Sequence, residues 1–411
     1  MSAEVYVYAD WEYFTDPMLV GVLRSSVTKN KEHFSFSYEK AWLHSENAQK
    51  IDPELHLFSG EQHSSDANNF RVFLDSCPDR WGRLLMKRRE AIIARQEERK
   101  PKIFHEIDYL LGVHDRYRQG ALRFKLDPNG DFLDNDERLT APPISSLKEL
   151  EYAALQIENS NTDDPEYLKW LYMLMSPGSS LGGARPKASV VDDEQHLWIA
   201  KFPSRYDDYD IAAWEYVVYQ LALNSGIEMS ESRIEKYNSH HHTFLTKRFD
   251  RTQSSRLHFT SAMTQLEYYD GDYDASYIEL AEFLSAQGSN TKSDLAQLWR
   301  RMVFNIAVSN TDDHLRNHGF IYHDGGWVLS PAYDINPVTP SNGLHLNITD
   351  DDNSLDYELA MDVIDFFKLS ETEAEAIKNE VLANVSQWKT IATEIGISRS
   401  EQKLMEPAFN V

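Results

Sequence analysis

Apolar and polar positions alternate through the first forty residues. Val5 and Val7 alternate with Tyr6 and Tyr8, residues 20–23 are apolar, and Phe34 and Phe36 alternate with Ser35 and Ser37. A period of two predicts strands, here a small antiparallel sheet. The period lengthens over residues 69–98, which read as helical, with a break and restart at Pro78-Asp79-Arg80-Trp81-Gly82. Pro78 opens that turn and Asp79 is placed to cap the next helix. The basic run over 89–100 is expected to be a solvated helix face. Residues 127–137 are acidic and turn-rich. They lack the ligand spacing of a calcium loop, so a surface excursion is expected.

Ala141-Pro142-Pro143 reads as a linker, followed by helices near 146–158 and 165–175. The first presents Leu147, Leu150, Ala153, Ala154 and Ile157 as its buried stripe. Periodicity then stops over 176–187, a stretch with three glycines and three serines. Strands are predicted at 188–191 and 197–202, with Asp192-Asp193-Glu194 as their turn. A helix over 211–224 buries Trp214, Val217, Val218, Leu221 and Ala222 and stops at Gly226. Two strand-like runs, 232–237 and 243–247, flank His240-His241-His242, which reads as a hairpin tip rather than a metal site. Beyond Tyr277 the pattern is mainly helical, over 293–308, 371–394 and 399–405, with one strand-like run at 319–329.

Composition narrows the class. The chain has 411 residues, 41% hydrophobic and 12% aromatic, enough for two or three cored domains. Its net charge of −25 disfavours direct non-specific nucleic-acid binding and leaves room for a basic protein partner. No apolar run approaches the roughly 18 residues of a membrane span, and no secretory leader is expected at the start. Cys77 is the only cysteine, so an intrachain disulfide and a cysteine zinc site are excluded. It is expected to be a small buried residue, in a cytoplasmic protein.

The candidate chemistry centres on Asn310-Thr311-Asp312-Asp313-His314-Leu315-Arg316-Asn317. Asp312 and Asn317 stand in the spacing D-x-x-x-x-N, which kinase catalytic loops use for a proton-accepting Asp and a Mg²⁺-binding Asn. Taken alone, the Asp pair would read as a helix cap or an Asx-turn. His314 and His318 stand four apart, but no HExxH glutamate accompanies them. Asp334 follows the strand-like run, where a phosphotransferase needs a second Mg²⁺-binding Asp. Upstream, Lys201 ends an apolar strand and calls for an anion, and Glu215 on the next helix is placed to pair with it. The Gly/Ser stretch just before that strand lets backbone N–H groups approach phosphates. Lys, then D-x-x-x-x-N, then Asp is the kinase order.

These pieces resemble the HipA family, serine/threonine-kinase toxins of bacterial toxin–antitoxin pairs. The matching stretches are S-S-L-G-G-A-R-P-K (179–187), I-A-K-F-P (199–203), T-K-R-F-D-R (246–251), N-T-D-D-H-L-R-N-H-G-F (310–320) and S-P-A-Y-D-I-N-P (330–337). F-L-D-S-C-P-D-R-W-G-R (73–83) resembles the N-terminal part of one subgroup. The absence of G-x-G-x-x-G, H-R-D and D-F-G argues against a eukaryotic-type kinase. The acidic region 124–145 has no counterpart in the resemblance.

The resemblance implies an α+β, protein-kinase-like bilobal fold. Residues 1–145 would form a β-rich N-terminal subdomain with helices, 146–250 a mixed N-lobe, and 251–411 an all-α C-lobe. It implies ATP and Mg²⁺ as cofactors, with Asp312 as base, His314 orienting, and Asn317 and Asp334 holding the metal. Ser180, Gly182, Gly183, Ala184 and Lys187 of the phosphate loop, Lys201 and Glu215, and Lys247, Arg248 and Phe249 of the hinge would surround the nucleotide. Ser180, with Ser179 as its neighbour, would be autophosphorylated, which ejects the loop and blocks ATP. The implied partners are a protein substrate, such as an aminoacyl-tRNA synthetase, and a small helix-turn-helix antitoxin like HipB, through which alone DNA is met. A catalytically weak nucleotide-binding repressor partner and an AMP-transferring enzyme are the competing readings.

Overall fold

The computed structural model describes residues 2–29, 31–65, 69–159, 166–175, 183 and 185–411. The chain divides into two compact units, one of Met1–Arg205 with Asp250–Thr260, the other of Tyr206–Phe249 with Ser261–Val411.

The alternating N-terminal segments form the sheet their pattern predicts. Strands β1 (Ser2–Ala9), β2 (Met18–Thr28), β3 (Lys31–Tyr38), β4 (Glu61–His63) and β5 (Leu122–Lys125) lie in the order β4-β3-β2-β1-β5. Val5 faces Leu23 and Val7 faces Phe124 across antiparallel ladders. A one-residue slip would turn Val5, Val7 and Phe36 out of the core they share with Trp42 and Phe73. In the chain, helix α1 (Lys40–Leu43) lies between β3 and β4, and helices α2 (Arg71–Asp75), α3 (Arg80–Gln96) and α4 (Glu106–Leu111) lie between β4 and β5. Asp79 caps α3 as expected, its Oδ1 accepting from the Gly82 N–H at 2.8 Å. Cys77 is buried, and burial pushes its thiol up to about 12. Arg118, wholly buried, donates to the carbonyls of Ser76, Leu110, Val113 and Leu133 and so ties the end of α4 to two other segments. The acidic loop 127–137 is largely exposed, a surface excursion as its composition indicates, with Phe132 edge-on to Tyr8 at 5.3 Å.

Asp52 gives this unit a pH dependence. Its carboxylate accepts from the N–H groups of Val72 and Glu54, yet complete burial outweighs them and raises its pKa to about 7. A carboxyl raised on folding contributes stability that is complete below about pH 4 and is lost as pH rises through about 7. The expected result is a fall in unfolding free energy between those pH values, of up to about 4 kcal/mol. Denaturant titrations across the window should show it, and Asp52→Asn should flatten the slope whatever its own cost.

Helices α5 (Leu147–Glu158) and α6 (Tyr167–Met175) continue the unit, and the predicted stripe of α5 is buried from Leu147 to Ile157. Strands β6 (Lys187–Val191) and β7 (Leu197–Lys201) form an antiparallel hairpin in which Lys187 faces Lys201.

The second unit begins with α7 (Ile211–Asn224) and the hairpin of β8 (Ser232–Glu235) and β9 (Thr243–Lys247). The helix ends where the sequence places its stop. Gly226 adopts φ +73°, a left-handed value that costs a glycine little, and the Ile227 N–H bonds back to the Ala222 carbonyl at 3.0 Å. His242 Nδ1 lies 2.6 Å from Oδ2 of Asp210, the residue that caps α7. Strand β10 (Phe259–Ser261) spans the end of the first unit's second segment, and helix α8 (Ala262–Gln265) resumes the second unit before α9 (Tyr277–Gln287) and α10 (Thr291–Ala307). The strand-like run is a hairpin, β11 (Gly319–His323) and β12 (Gly326–Leu329), so the C-terminal segment is mainly helical with one hairpin set into it. Helices α11 (Tyr357–Asp362), α12 (Glu371–Val385), α13 (Trp388–Ile395) and α14 (Arg399–Met405) close the chain. Trp214, Tyr277, Leu298, Trp299 and Trp388 share one core. No described helix is long and apolar enough to cross a membrane.

Candidate active site

Helix α10 delivers the chain to the D-x-x-x-x-N loop. Its apolar face is buried, but Arg301 and Asn305 lie on that face too, 3% exposed each. Just beyond it, Ser309 takes φ +50° and Asn310 is buried. The two aspartates then diverge. The Asp312 side chain is 72% exposed, and His314 Nε2 lies 3.7 Å from its Oδ1. Asp313 is buried and accepts from Tyr277 Oη at 2.7 Å, from the His345 N–H at 2.7 Å and from the Leu346 N–H at 3.3 Å. Burial raises the Asp313 carboxyl to about 6 against those three donors.

A short turn (Leu315–Asn317) closes the loop onto itself. The Asn317 amide donates from Nδ2 to the Asp312 carbonyl at 2.7 Å. Its Oδ1 is buried and has no hydrogen-bond partner among the described residues. An oriented amide oxygen left over in this way suits a hard cation. His318 is buried beside it, and burial pushes that imidazole down to about 3, so it is neutral.

Asp334 follows the β11–β12 hairpin as expected, half-buried, with φ +56°. A non-glycine residue held there stores strain, which is common where a side chain must be aimed. Asn336 Nδ2 lies 3.3 Å from Asp334 Oδ1, and the Asn336 N–H donates to Asn310 Oδ1 at 3.2 Å. The Asp334 loop and the Asp312 loop are therefore joined through Asn310. Among the described residues no three His, Cys, Asp or Glu side chains are arranged to hold a metal alone. Asn317 and Asp334 fit Mg²⁺, which takes few protein ligands and keeps others from water and phosphate.

The remaining candidates divide between the units. In the second, Lys247 Nζ is 4.0 Å from Glu231, Arg248 and Glu215 are buried, and the Phe249 ring stacks on Tyr333 at 5.5 Å. In the first, Lys201 is half-buried at the end of β7. Gly183 adopts φ +95°, where a side chain would be strained. Lys187 is 2.9 Å from Asp79 Oδ2 in a buried ion pair, and Trp81 Nε1 holds its carbonyl at 3.1 Å. A phosphate contact by Lys187 would have to share that ammonium with Asp79. Ser179, Ser180, Gly182 and Ala184 lie outside the described residues.

Sequence reasoning missed Tyr277, Asn305, Asn310, Asp313 and Asn336. One signal was readable: Arg301 and Asn305 interrupt the apolar stripe of α10, and polar residues on a buried face need partners.

Residues 179–389 match the model of the HipA-like C-terminal domain. The chain belongs to the HipA family. A protein of Haemophilus influenzae named "Putative kinase" is 25% identical over 185 residues, which is 40% of this chain and 54% of that one. A kinase so named from Sinorhizobium fredii, Y4dM, is 29% identical over 157 residues, 35% and 38% of the two chains. This chain thus spans about half or less of the curated relatives it matches. A chain of the Shewanella oneidensis MR-1 complex of HipA, HipB and operator DNA superposes with a TM-score of 0.66 at 16% identity, over 98% of this chain and 94% of that one. The fold is the α+β, kinase-like HipA fold.

Proposed function

We propose that this HipA-family chain is an ATP- and Mg²⁺-dependent serine/threonine protein kinase. One observation carries the reading: an exposed Asp312 carboxylate whose backbone is pinned by Asn317, with the Asn317 oxygen left oriented and unpartnered. Asp312 accepts the proton of a Ser or Thr hydroxyl, whose oxygen bonds to the γ-phosphorus as the bond to the ADP oxygen breaks. His314 orients the Asp312 carboxylate. Asn317 and Asp334 hold the cation, which when bound neutralises charge developing on the phosphoryl oxygens. Lys201 supplies a further positive charge to the phosphates, Glu215 orients that lysine, and 247–249 line the adenine side. The division into 1–145, 146–250 and 251–411 belongs to this proposal as its functional segments.

The proposed target is a translation component such as an aminoacyl-tRNA synthetase, and Ser180 or Ser179 is the proposed self-inhibitory acceptor. A phosphate there adds about −1.5 to −2 charges where ATP phosphates must sit. The proposed partner is a HipB-like antitoxin, the kind present in the Shewanella complex. The net charge of −25 favours DNA contact through that partner alone. A cytoplasmic setting is part of the proposal.

The test is incubation of the purified protein with Mg²⁺ and ATP, followed by intact and peptide mass spectrometry. Added phosphate on a Ser or Thr supports the kinase. Added AMP contradicts it in favour of nucleotidyl transfer, and no modification of protein that starts unphosphorylated contradicts both.

A further inference from the structure

A hydrogen-bond chain threads five polar residues of the second unit. The Asn336 N–H donates to Asn310 Oδ1 at 3.2 Å, Asn310 Nδ2 donates to Asn305 Oδ1 at 3.1 Å, and Asn305 Nδ2 donates to Tyr277 Oη at 2.8 Å. Tyr277 Oη then donates to Asp313 Oδ2 at 2.7 Å. Every donor points the same way, and the chain ends on a carboxylate. Bonds aligned in this way polarise one another, and reversing one amide breaks two of them. Its two ends are residues adjacent to the chemistry: Asp313 follows Asp312, and Asn336 lies 3.3 Å from Asp334 Oδ1.

The members come from separated places in the sequence. Tyr277 opens α9, Asn305 sits in the last turn of α10, and Asn310, Asp313 and Asn336 belong to the two loops. Tyr277, Asn305, Asn310 and Asp313 are 3% exposed or less. Burying polar groups costs free energy unless each is bonded, and the surrounding core of Leu298, Met302 and Ile306 shows that apolar packing is available here. What the chain adds over apolar packing is orientation: it ties the Asp312 loop to two helices and the Asp334 loop to the Asp312 loop.

We infer that this chain, with Tyr277 and Asn310 as its positioning residues, sets the Asp312 loop and Asp334 in mutual register for phosphoryl transfer. The inference rests on the kinase reading above. It assigns neither residue a contact with substrate. Their effect runs through Asp313 on one side and Asn336 on the other.

The experiment compares wild type, Tyr277→Phe, Asn310→Ser and the double variant. Transfer from ATP and Mn²⁺–ATP affinity, the latter by electron paramagnetic resonance, are both measured. Tyr277→Phe removes one oxygen and keeps the ring, and Asn310→Ser keeps a short polar group. Each should lower kcat by about tenfold to a hundredfold, the scale of a misplaced reacting group, with KM for ATP little changed. Mn²⁺–ATP affinity should likewise be little changed in both, so that the loss falls on kcat. The double variant should be little worse than the worse single, because one cut already opens the chain. Wild-type kcat in both single variants, or effects that simply multiply, would overturn the inference while the kinase reading stands. A wild-type chain that neither transfers phosphate nor binds Mn²⁺–ATP removes the kinase reading, and this inference falls with it.

Discussion

Asp312→Asn loses about 10²–10⁴-fold in phosphoryl transfer, the range a general base contributes, and keeps its affinity for Mg²⁺–ATP. The separation of the two effects follows from the surroundings of the side chain. Asp312 is 72% exposed, and its carboxylate meets His314 only at 3.7 Å. The amide that pins the loop binds the Asp312 carbonyl and is untouched by the substitution. Folding stability should therefore stay within about 0.5 kcal/mol. The neighbouring Asp313→Asn behaves oppositely, because an amide cannot accept from all three donors that converge on that buried carboxylate. Single-turnover rates beside calorimetric ATP affinity check the first variant. Equal transfer by Asp312→Asn and wild type would remove Asp312 from the mechanism.

The largest effect on stability is expected at Asp79. The side chains of Asp79 and Lys187 are 4% and 7% exposed and lie 2.9 Å apart. Removing the carboxylate takes from the buried Lys187 ammonium its close ion partner, at a cost of about 3–5 kcal/mol. Asp79→Ala also deletes the cap of α3, so it should exceed Asp79→Asn, which still accepts from the Gly82 N–H. Replacing both partners, Asp79→Leu with Lys187→Met, should recover most of the loss, since apolar groups of similar size need no compensation. Urea denaturation of the four proteins measures this. Asp79→Ala within 1 kcal/mol of wild type would show the pair to be solvated and its contribution small.

How much of this was legible in the sequence depended on how local each signal is. Period-two alternation identifies the N-terminal sheet because one face of β1–β3 is buried and the other is not. Gly226 and Asp79 announce helix ends because caps are local. The proposed Lys201, Asp312, Asn317 and Asp334 series was readable as a candidate site because kinase sites reuse residue types in a fixed order. Its supporting residues were not. Tyr277 looks like any core aromatic, and the bond from its hydroxyl to Asp313 spans 36 positions. The partner of Lys187 was hidden for the same reason: Asp79 is 108 residues earlier and already had a sufficient local explanation as a cap.

The proposed phosphoryl-transfer site has Asn317 and Asp334 holding the cation and Asp312 serving as base. The structure with Mg²⁺ and a non-hydrolysable ATP analogue tests it most directly. The cation is expected at about 2.0–2.1 Å from Asn317 Oδ1 and from an Asp334 carboxylate oxygen, with the γ-phosphate facing Asp312. A cation and triphosphate bound elsewhere, with Asn317 Oδ1 still unliganded, would contradict it.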